Sequence, residues 1–242
     1  MVKLLFFFLM GSIAMVVRFF ILGKFEWEQL LSLLLFPVGS LIVWLIHRRM
    51  LRRDEQYQPP QAAHHWSTRI GERSSTGKKL LYKDAHKIGV YRRFYQHWWQ
   101  YWVNGIVEGD GKWYMNLSFE LAGGETVRFV EQKKQKRLAM NENWLIERNG
   151  QVIGHAKTDY SFQNAVKLQE GLILEINDTP YYFRSFGIGS HTDVLLGDQV
   201  IASGRRSDLI QPHYQFKVEN GFEELEPVLA MTYILFQYVH RQ

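Results

Sequence analysis

The sequence of 242 residues contains no cysteine. This excludes a disulfide-stapled scaffold, a thiol nucleophile and thiolate metal sites, and it fits a reducing compartment. Two catalytic signatures are also missing from the sequence, the G-x-S-x-G nucleophile elbow and the glycine-rich phosphate loop that opens a helix. The nearest match to such a loop, "GIGSH" at 187–191, lies between predicted strands. The sequence therefore predicts no catalytic residue, no bound metal and no cofactor, and an enzyme of unrecognised type is an alternative without named residues.

Charged residues are nearly absent from two long apolar segments near the start of the chain. The first, Leu4–Gly23, contains only Arg18, and the second, Gln29–His47, contains no Asp, Glu, Lys or Arg. Each is close to the ~20 residues that an α-helix needs to cross a bilayer. A cleaved signal peptide is the alternative for the first segment, but its apolar region is too long and no small-x-small cleavage site follows it. We therefore expect a hairpin of two membrane-spanning helices.

Four arginines, Arg48, Arg49, Arg52 and Arg53, follow the second segment directly. The positive-inside rule places this end of the helix in the cytoplasm. A tight hairpin then places the N-terminus on the same side, so we expect a cell-membrane protein with both termini and the large domain cytoplasmic. The formal charge of +5 and the pI near 9.3 indicate acidic partners. Because the charge clusters beside a membrane segment, one interpretation is a topology signal on a solvated surface. The other is contact with anionic lipid headgroups, and we expect no nucleic acid partner.

The segment 54–79 is polar and contains Pro59-Pro60, which is typical of a linker. It divides the chain into a transmembrane hairpin with its basic stop at 1–53, the linker at 54–79, and a folded domain at 80–242. His64 and His65 lie in the linker without a partner at metal-ligand spacing, so we expect them to be solvated.

Short strand-like runs alternate with turn residues from Leu80 onward. The strongest hairpin signal is Asn149-Gly150, between "NWLIER" and "QVIGHAK". One unit recurs three times, beginning at Leu81, Leu145 and Val194: an apolar pair, a polar turn, an apolar residue or two, a small residue and a basic end. Little between 112 and 219 has a helical period, so we expect a series of antiparallel hairpins.

The aromatic stretch "YRRFYQHWWQYWVNG", 91–105, has two interpretations. The spacing of its rings fits a helix, but the repeated unit favours a strand over Ile88–Tyr95. Strand alternation would place about half of the rings between Tyr91 and Trp102 in the interior. The remaining rings would form an exposed apolar patch or lie at the level of lipid headgroups.

The last element, Glu223–His240, has acidic residues at its start and a basic end, which suits a helix dipole. Its apolar run has no polar face, so the helix should be buried on all sides. A third membrane span is the alternative, but a run of about twelve residues is more typical of a buried core helix. A closed sheet leaves a lumen that such a helix can fill.

On these hairpins and on "EPVLAMTYILFQYV", 226–239, the sequence resembles the tubby C-terminal-like superfamily, which includes tubby domains, LURP-one-related proteins and phospholipid scramblases. It would be a membrane-anchored, bacterial-type version. The resemblance implies an α+β, mainly β fold: a closed antiparallel β-barrel of about twelve strands around a buried C-terminal helix, here preceded by a two-helix transmembrane hairpin. The sequence contains no residue-by-residue match to a lipid-binding motif of the family, so the resemblance transfers no site.

We therefore expect a membrane-anchored cytoplasmic module without catalytic activity that binds lipid headgroups or a protein partner, for example a membrane protein. Each basic residue near an anionic surface contributes ~1 kcal/mol to binding. The alternative, which the scramblase resemblance implies, is a phospholipid transporter. The candidate contact residues are the arginines after the second span, a basic loop and three tryptophans: Arg48, Arg49, Arg52, Arg53, Lys133, Lys134, Lys136, Arg137, Trp98, Trp99 and Trp102.

Overall fold

The computed structural model describes residues 2–59, 65–107, 114–132, 141–160, 169–186, 191–206 and 213–240. The chain forms two compact units. The helical unit consists of Met1–Arg52 and Tyr95–Tyr114, and the barrel unit consists of Arg53–Phe94 and Met115–Gln242. The described residues form four helices, α1 (Val2–Leu22), α2 (Trp27–Glu55), α3 (Trp98–Val107) and α4 (Glu226–His240).

Twelve antiparallel strands form one closed barrel. They are β1 (Trp66–Arg69), β2 (Lys79–Lys83), β3 (His86–Phe94), β4 (Asn116–Leu121), β5 (Thr126–Glu131), β6 (Asn143–Arg148), β7 (Gln151–Thr158), β8 (Gln169–Ile176), β9 (Thr179–Phe186), β10 (His191–Leu196), β11 (Gln199–Arg206) and β12 (His213–Val218). Each strand pairs with the next along the chain, and β1 closes the ring by pairing with β12 as well as β2. The predicted fold class is confirmed.

Helix α4 fills the lumen of the barrel. Every residue from Val228 to Val239 is buried. The ring of Tyr238 lies 6.5 Å from that of Tyr91 on β3, the ring of Phe236 lies 6.3 Å from that of Phe183 on β9, and Tyr233 stacks on Phe216 of β12 at 5.0 Å. These contacts with strands on opposite sides of the ring, together with the burial of the helix, confirm the predicted core helix.

The three repeated sequence units form three equivalent hairpins, β2–β3, β6–β7 and β10–β11. Each hairpin contains a register shift that leaves one isoleucine without a cross-strand partner: Ile88, Ile153 and Ile201. A small residue follows each isoleucine, and a Cβ atom built on the first of these, Gly89, would lie 2.7 Å from the carbonyl oxygen of Glu120. Since the hairpins recur every four strands, the barrel consists of three four-stranded repeats: β2–β5, β6–β9, and β10–β12 completed by β1.

Tight two-residue turns close several hairpins. Both central residues have positive φ at Asp84-Ala85, Asn149-Gly150 and Asn177-Asp178, as type I′ turns require. The last of these turns ends at Asp178, because Thr179 and Pro180 already belong to β9.

The predicted linker, 54–79, contains a strand of the barrel. Strand β1 pairs along both of its edges, and Trp66, Ser67 and Thr68 are buried. The barrel unit therefore begins before residue 80. A four-residue strand is too short to show an alternation pattern, and its stability comes from pairing on both sides with strands distant in sequence.

Candidate functional site

Helices α1 and α2 of the helical unit pack against each other in antiparallel directions. Leu33 contacts Gly11, where the missing side chain permits close approach, and the rings of Phe7 and Phe36 lie 6.3 Å apart. Arg18, the charged residue within the apolar part of α1, forms an ion pair with Glu26 in the connecting loop. By length and composition, each helix is long and apolar enough to cross a membrane.

A groove of about 450 Å³ runs along the last turns of α2. Its guanidinium groups and its aliphatic side chains lie next to each other in the same groove. The Arg48 guanidinium lies 5.1 Å from the centre of the Trp44 ring, a cation–π contact. The apolar side chains of the groove adjoin its arginines, just as the apolar chains of a phospholipid adjoin its charged headgroup. The groove is lined by Ile42, Leu45, Ile46, Arg48, Arg49 and Arg52.

Helix α3 starts at a side-chain cap. The Gln100 side-chain oxygen accepts hydrogen bonds from the backbone N–H groups of Gln96, at 2.9 Å, and His97, at 3.2 Å. These bonds satisfy backbone donors that lack partners at a helix start, as in a capping box. Further along, Gly105 packs against the first turn of α1, where a Cβ atom on the glycine would lie 2.8 Å from the Cβ atom of Val2.

The polarity of α3 is inverted relative to a helix on a soluble protein. Trp98 is 79% exposed, and the other aromatic side chains of its first turns are also exposed. By contrast, Gln100 and Asn104, the polar residues of the helix, are both 4% exposed. The Asn104 amide donates a hydrogen bond to the Tyr95 hydroxyl at 3.2 Å. A water-exposed surface of this kind is unfavourable, whereas tryptophan and tyrosine are enriched where apolar lipid meets water. The exposed aromatic face consists of Trp98, Trp99, Tyr101 and Trp102.

The structure brings part of the predicted contact set into the helical unit. Arg48, Arg49 and Arg52 lie in the α2 groove, and Arg53 follows them at the start of the barrel unit. Trp98, Trp99 and Trp102 lie on α3. The predicted basic loop, Lys133, Lys134, Lys136 and Arg137, lies outside the described residues and stays a prediction.

The prediction that about half of the rings from Tyr91 to Trp102 lie in the interior is wrong. The predicted strand is confirmed, because β3 runs to Phe94 and buries Tyr91 and Arg93. Tyr91, however, is the only fully buried ring of the stretch. Strand alternation stops at Phe94, and most of the remaining rings belong to α3, which exposes them.

The burial of several polar side chains of the barrel unit was not predicted from the sequence. The Asp54 carboxylate is fully buried; it accepts backbone hydrogen bonds from Gly71, at 3.1 Å, and Glu72, at 2.9 Å, and lies 3.2 Å from Nε of Arg69. Burial raises the pKa of Asp54 despite these partners. Lys79 is also fully buried, with its ammonium 5.8 Å from the centre of the Tyr238 ring. Isolated polar residues in short runs give no sequence signal for burial.

Among the described residues, no group of three His, Cys, Asp or Glu side chains is arranged to hold a metal ion. No family model, curated protein or solved structure matches the chain. The geometry of the helical unit is therefore the main guide to function.

Proposed function

We propose that the chain is a membrane-anchored module without catalytic activity, which crosses the bilayer twice and binds anionic lipid headgroups through its helical unit. The observation that carries this proposal is α3, which exposes its tryptophans, buries its amides and packs against the first turn of α1. Such a helix is stable where its aromatic face meets lipid and its polar groups are held by the protein.

The register of the α1–α2 hairpin supports a position of α3 at the boundary between lipid headgroups and acyl chains. Leu4 contacts Gly39, so Val2 lies near the level of Leu41. Arg48 follows seven residues later on the same helix, which corresponds to about 10 Å along its axis. Helices that lie in a membrane interface insert ~5–10 Å into the boundary between headgroups and acyl chains. The α3 tryptophans would lie at this boundary and the arginines among the phosphates.

The arginines also support an orientation. Clusters of arginine beside a span favour the cytoplasmic side. This would place the start of α1, the end of α2, α3 and the barrel unit on the cytoplasmic side of the membrane. The closed barrel with a central helix is the architecture implied by the tubby-like resemblance, and membership of that superfamily remains part of the proposal.

Lipid that copurifies with the full-length chain tests the function. We would extract the protein in a mild detergent and count bound phospholipids per chain by native mass spectrometry. Anionic phospholipid should be enriched on the parent. Since each basic residue near the surface contributes ~1 kcal/mol, replacing Arg48, Arg49, Arg52 and Arg53 with Gln should lower the bound anionic lipid at least ~10-fold.

The matched control removes the same number of charges from exposed positions on the barrel: Lys87→Gln, Arg92→Gln, Arg128→Gln and Lys157→Gln. This variant should retain its lipid. Equal lipid on the parent and the α2 variant would contradict the proposal. Dithionite reduction of labelled lipid in reconstituted vesicles separates the transporter alternative, because a binding module leaves the inner leaflet protected and a transporter exposes it.

A further inference from the structure

A cleft of about 330 Å³ lies on the outer wall of the third repeat of the barrel. Strands β10, β11 and β12 and the residue that precedes β1 contribute polar side chains to it. Its polar lining is His65, His191, Ser203, Arg205, Gln215 and Lys217.

The threefold repeat gives each position of this cleft two counterparts elsewhere in the barrel. Arg205 on β11 corresponds in register to Arg92 on β3 and Lys157 on β7, so all three repeats carry a basic residue here. On the neighbouring strand, the outward-facing residue two positions beyond the cross-strand partner of this basic residue differs between the repeats. It is glutamate in two repeats and lysine in the third: Glu120 on β4, Glu175 on β8 and Lys217 on β12.

The first repeat shows what the glutamate does. An Arg92 terminal nitrogen lies 3.7 Å from a carboxylate oxygen of Glu120 across the two strands. Opposite charges at diagonal cross-strand positions attract, and like charges at such short separations repel. The third repeat replaces this attraction with a pair of cations, Arg205 and Lys217.

Neighbouring carboxylates neutralise the positive charge of this pair only in part. Among the described residues, Arg205 has no carboxylate within ion-pair distance, and its side chain donates a hydrogen bond to neutral Gln215 at 3.2 Å. Lys217 lies 3.3 Å from Glu219, but both side chains are about half exposed, and such surface pairs contribute little. Asp193, at the edge of the cleft, is held by Arg184 at 3.2 Å and by His191 at 2.8 Å.

We propose that this cleft binds a phosphoryl anion, either as free phosphate or a phosphate ester, or as the phosphate of a lipid headgroup. The guanidinium of Arg205 offers two parallel N–H donors to such an oxyanion, and Lys217 adds a point charge. The hydroxyl of Ser203 and the side chain of Gln215 supply neutral hydrogen-bond partners beside them. The anion replaces the glutamate that the other two repeats carry, and its volume is well within that of the cleft.

The proposal goes beyond the headgroup function of α2 and α3, because it concerns the barrel unit and uses none of their residues. The full-length chain in detergent would be titrated with pyrophosphate, and its melting temperature compared with that in sodium chloride of matched ionic strength. The parent should be stabilised in a saturable manner, because a ligand that binds only the folded state raises the melting temperature. The Arg205→Gln/Lys217→Gln variant should bind at least ~10-fold more weakly, as expected for the loss of two charge-assisted contacts.

The matched control, Arg92→Gln/Lys157→Gln, removes two cations from the equivalent positions of the other repeats and should respond like the parent. Lys217→Glu gives the third repeat the charge pattern of the first two, so it should melt higher than the parent without pyrophosphate and lose the response to it.

A second arm separates the two sources of phosphate. The same four proteins would be placed in nanodiscs of phosphatidylcholine with and without phosphatidic acid. A response to pyrophosphate assigns the cleft to a soluble ligand, and a cleft-dependent response only to phosphatidic acid assigns it to a headgroup. If the parent responds to neither, or if the cleft variant responds like the parent in both arms, the proposal is overturned. The α2 variant tests the headgroup function separately, because its substitutions leave the cleft unchanged. The headgroup function fails if the α2 variant keeps its lipid, and the cleft proposal fails if the Arg205→Gln/Lys217→Gln variant keeps its response.

Discussion

Replacing Phe236 with alanine should strongly destabilise the barrel, because this side chain lies at the centre of the helix-filled lumen. Phe236 has no exposed surface, and its ring lies 6.3 Å from that of Phe183 and 4.6 Å from that of His240. Position 236 is on a helix that contacts strands on opposite sides of the ring, so the cavity cannot be filled by movement of a flexible loop.

The magnitude follows from two contributions. The substitution removes about 100 Å² of buried apolar surface, which corresponds to ~2.5 kcal/mol. A phenyl-sized cavity of roughly 80 Å³ that does not collapse adds ~2 kcal/mol. The sum lies within the ~3–5 kcal/mol typical of such changes, and it corresponds to a fall of about 6–20 °C in melting temperature for a unit of this size.

Pulse proteolysis of the full-length chain across a urea series measures this change in the free energy of unfolding. The control is Val152→Ala, since Val152 is 55% exposed on the barrel and its truncation should change stability by less than ~0.5 kcal/mol. If both variants unfold at the urea concentration of the parent, α4 is not the core of the barrel.

Three further substitutions test the barrel unit. Gly89→Ala should lower the free energy of unfolding by ~1–3 kcal/mol, because its Cβ atom would meet the backbone oxygen of Glu120 at 2.7 Å. Ala202→Gly, at the equivalent position of the third repeat, should lower it by less than ~1 kcal/mol. Chemical denaturation measures both changes, and equal losses would refute the argument from close approach. Burial raises the pKa of Asp54, so the folded chain holds this proton more tightly than the unfolded chain, and the resulting stability is lost as pH rises through the folded-state pKa. Asp54→Asn should therefore lower stability more at about pH 4 than at about pH 8, and a loss that grows with pH would refute the sign of this shift.

Local signals in the sequence were sufficient to predict much of the barrel. Asn149-Gly150 marks a type I′ turn, and the flanking strand β6 has the predicted bounds Asn143–Arg148. The last helix was predictable because a run that is apolar on every face is stable only when surrounded by other apolar groups.

The features that escaped prediction depend on distant parts of the chain. Strand β1 is fixed by pairing with β12, which lies at the other end of the barrel sequence. The aromatic residues of α3 resemble core residues in composition, and their exposure becomes visible only once Gly105 is seen against Val2. The cationic pair at Arg205 and Lys217 can be identified only from the strand register, because the two residues are far apart in sequence.

The depth of α3 in a bilayer is the most direct test of the proposed membrane contact. Because the chain has no cysteine, a single spin label can be attached at Trp98→Cys without background labelling. In nanodiscs, its collision rates with oxygen and with a water-soluble nickel complex report depth, and a label at Val152→Cys on the exposed barrel surface serves as the aqueous reference. We expect the Trp98 label to be accessible to oxygen, shielded from nickel, and ~5–10 Å below the phosphates. Nickel accessibility equal to that of the Val152 label would contradict it.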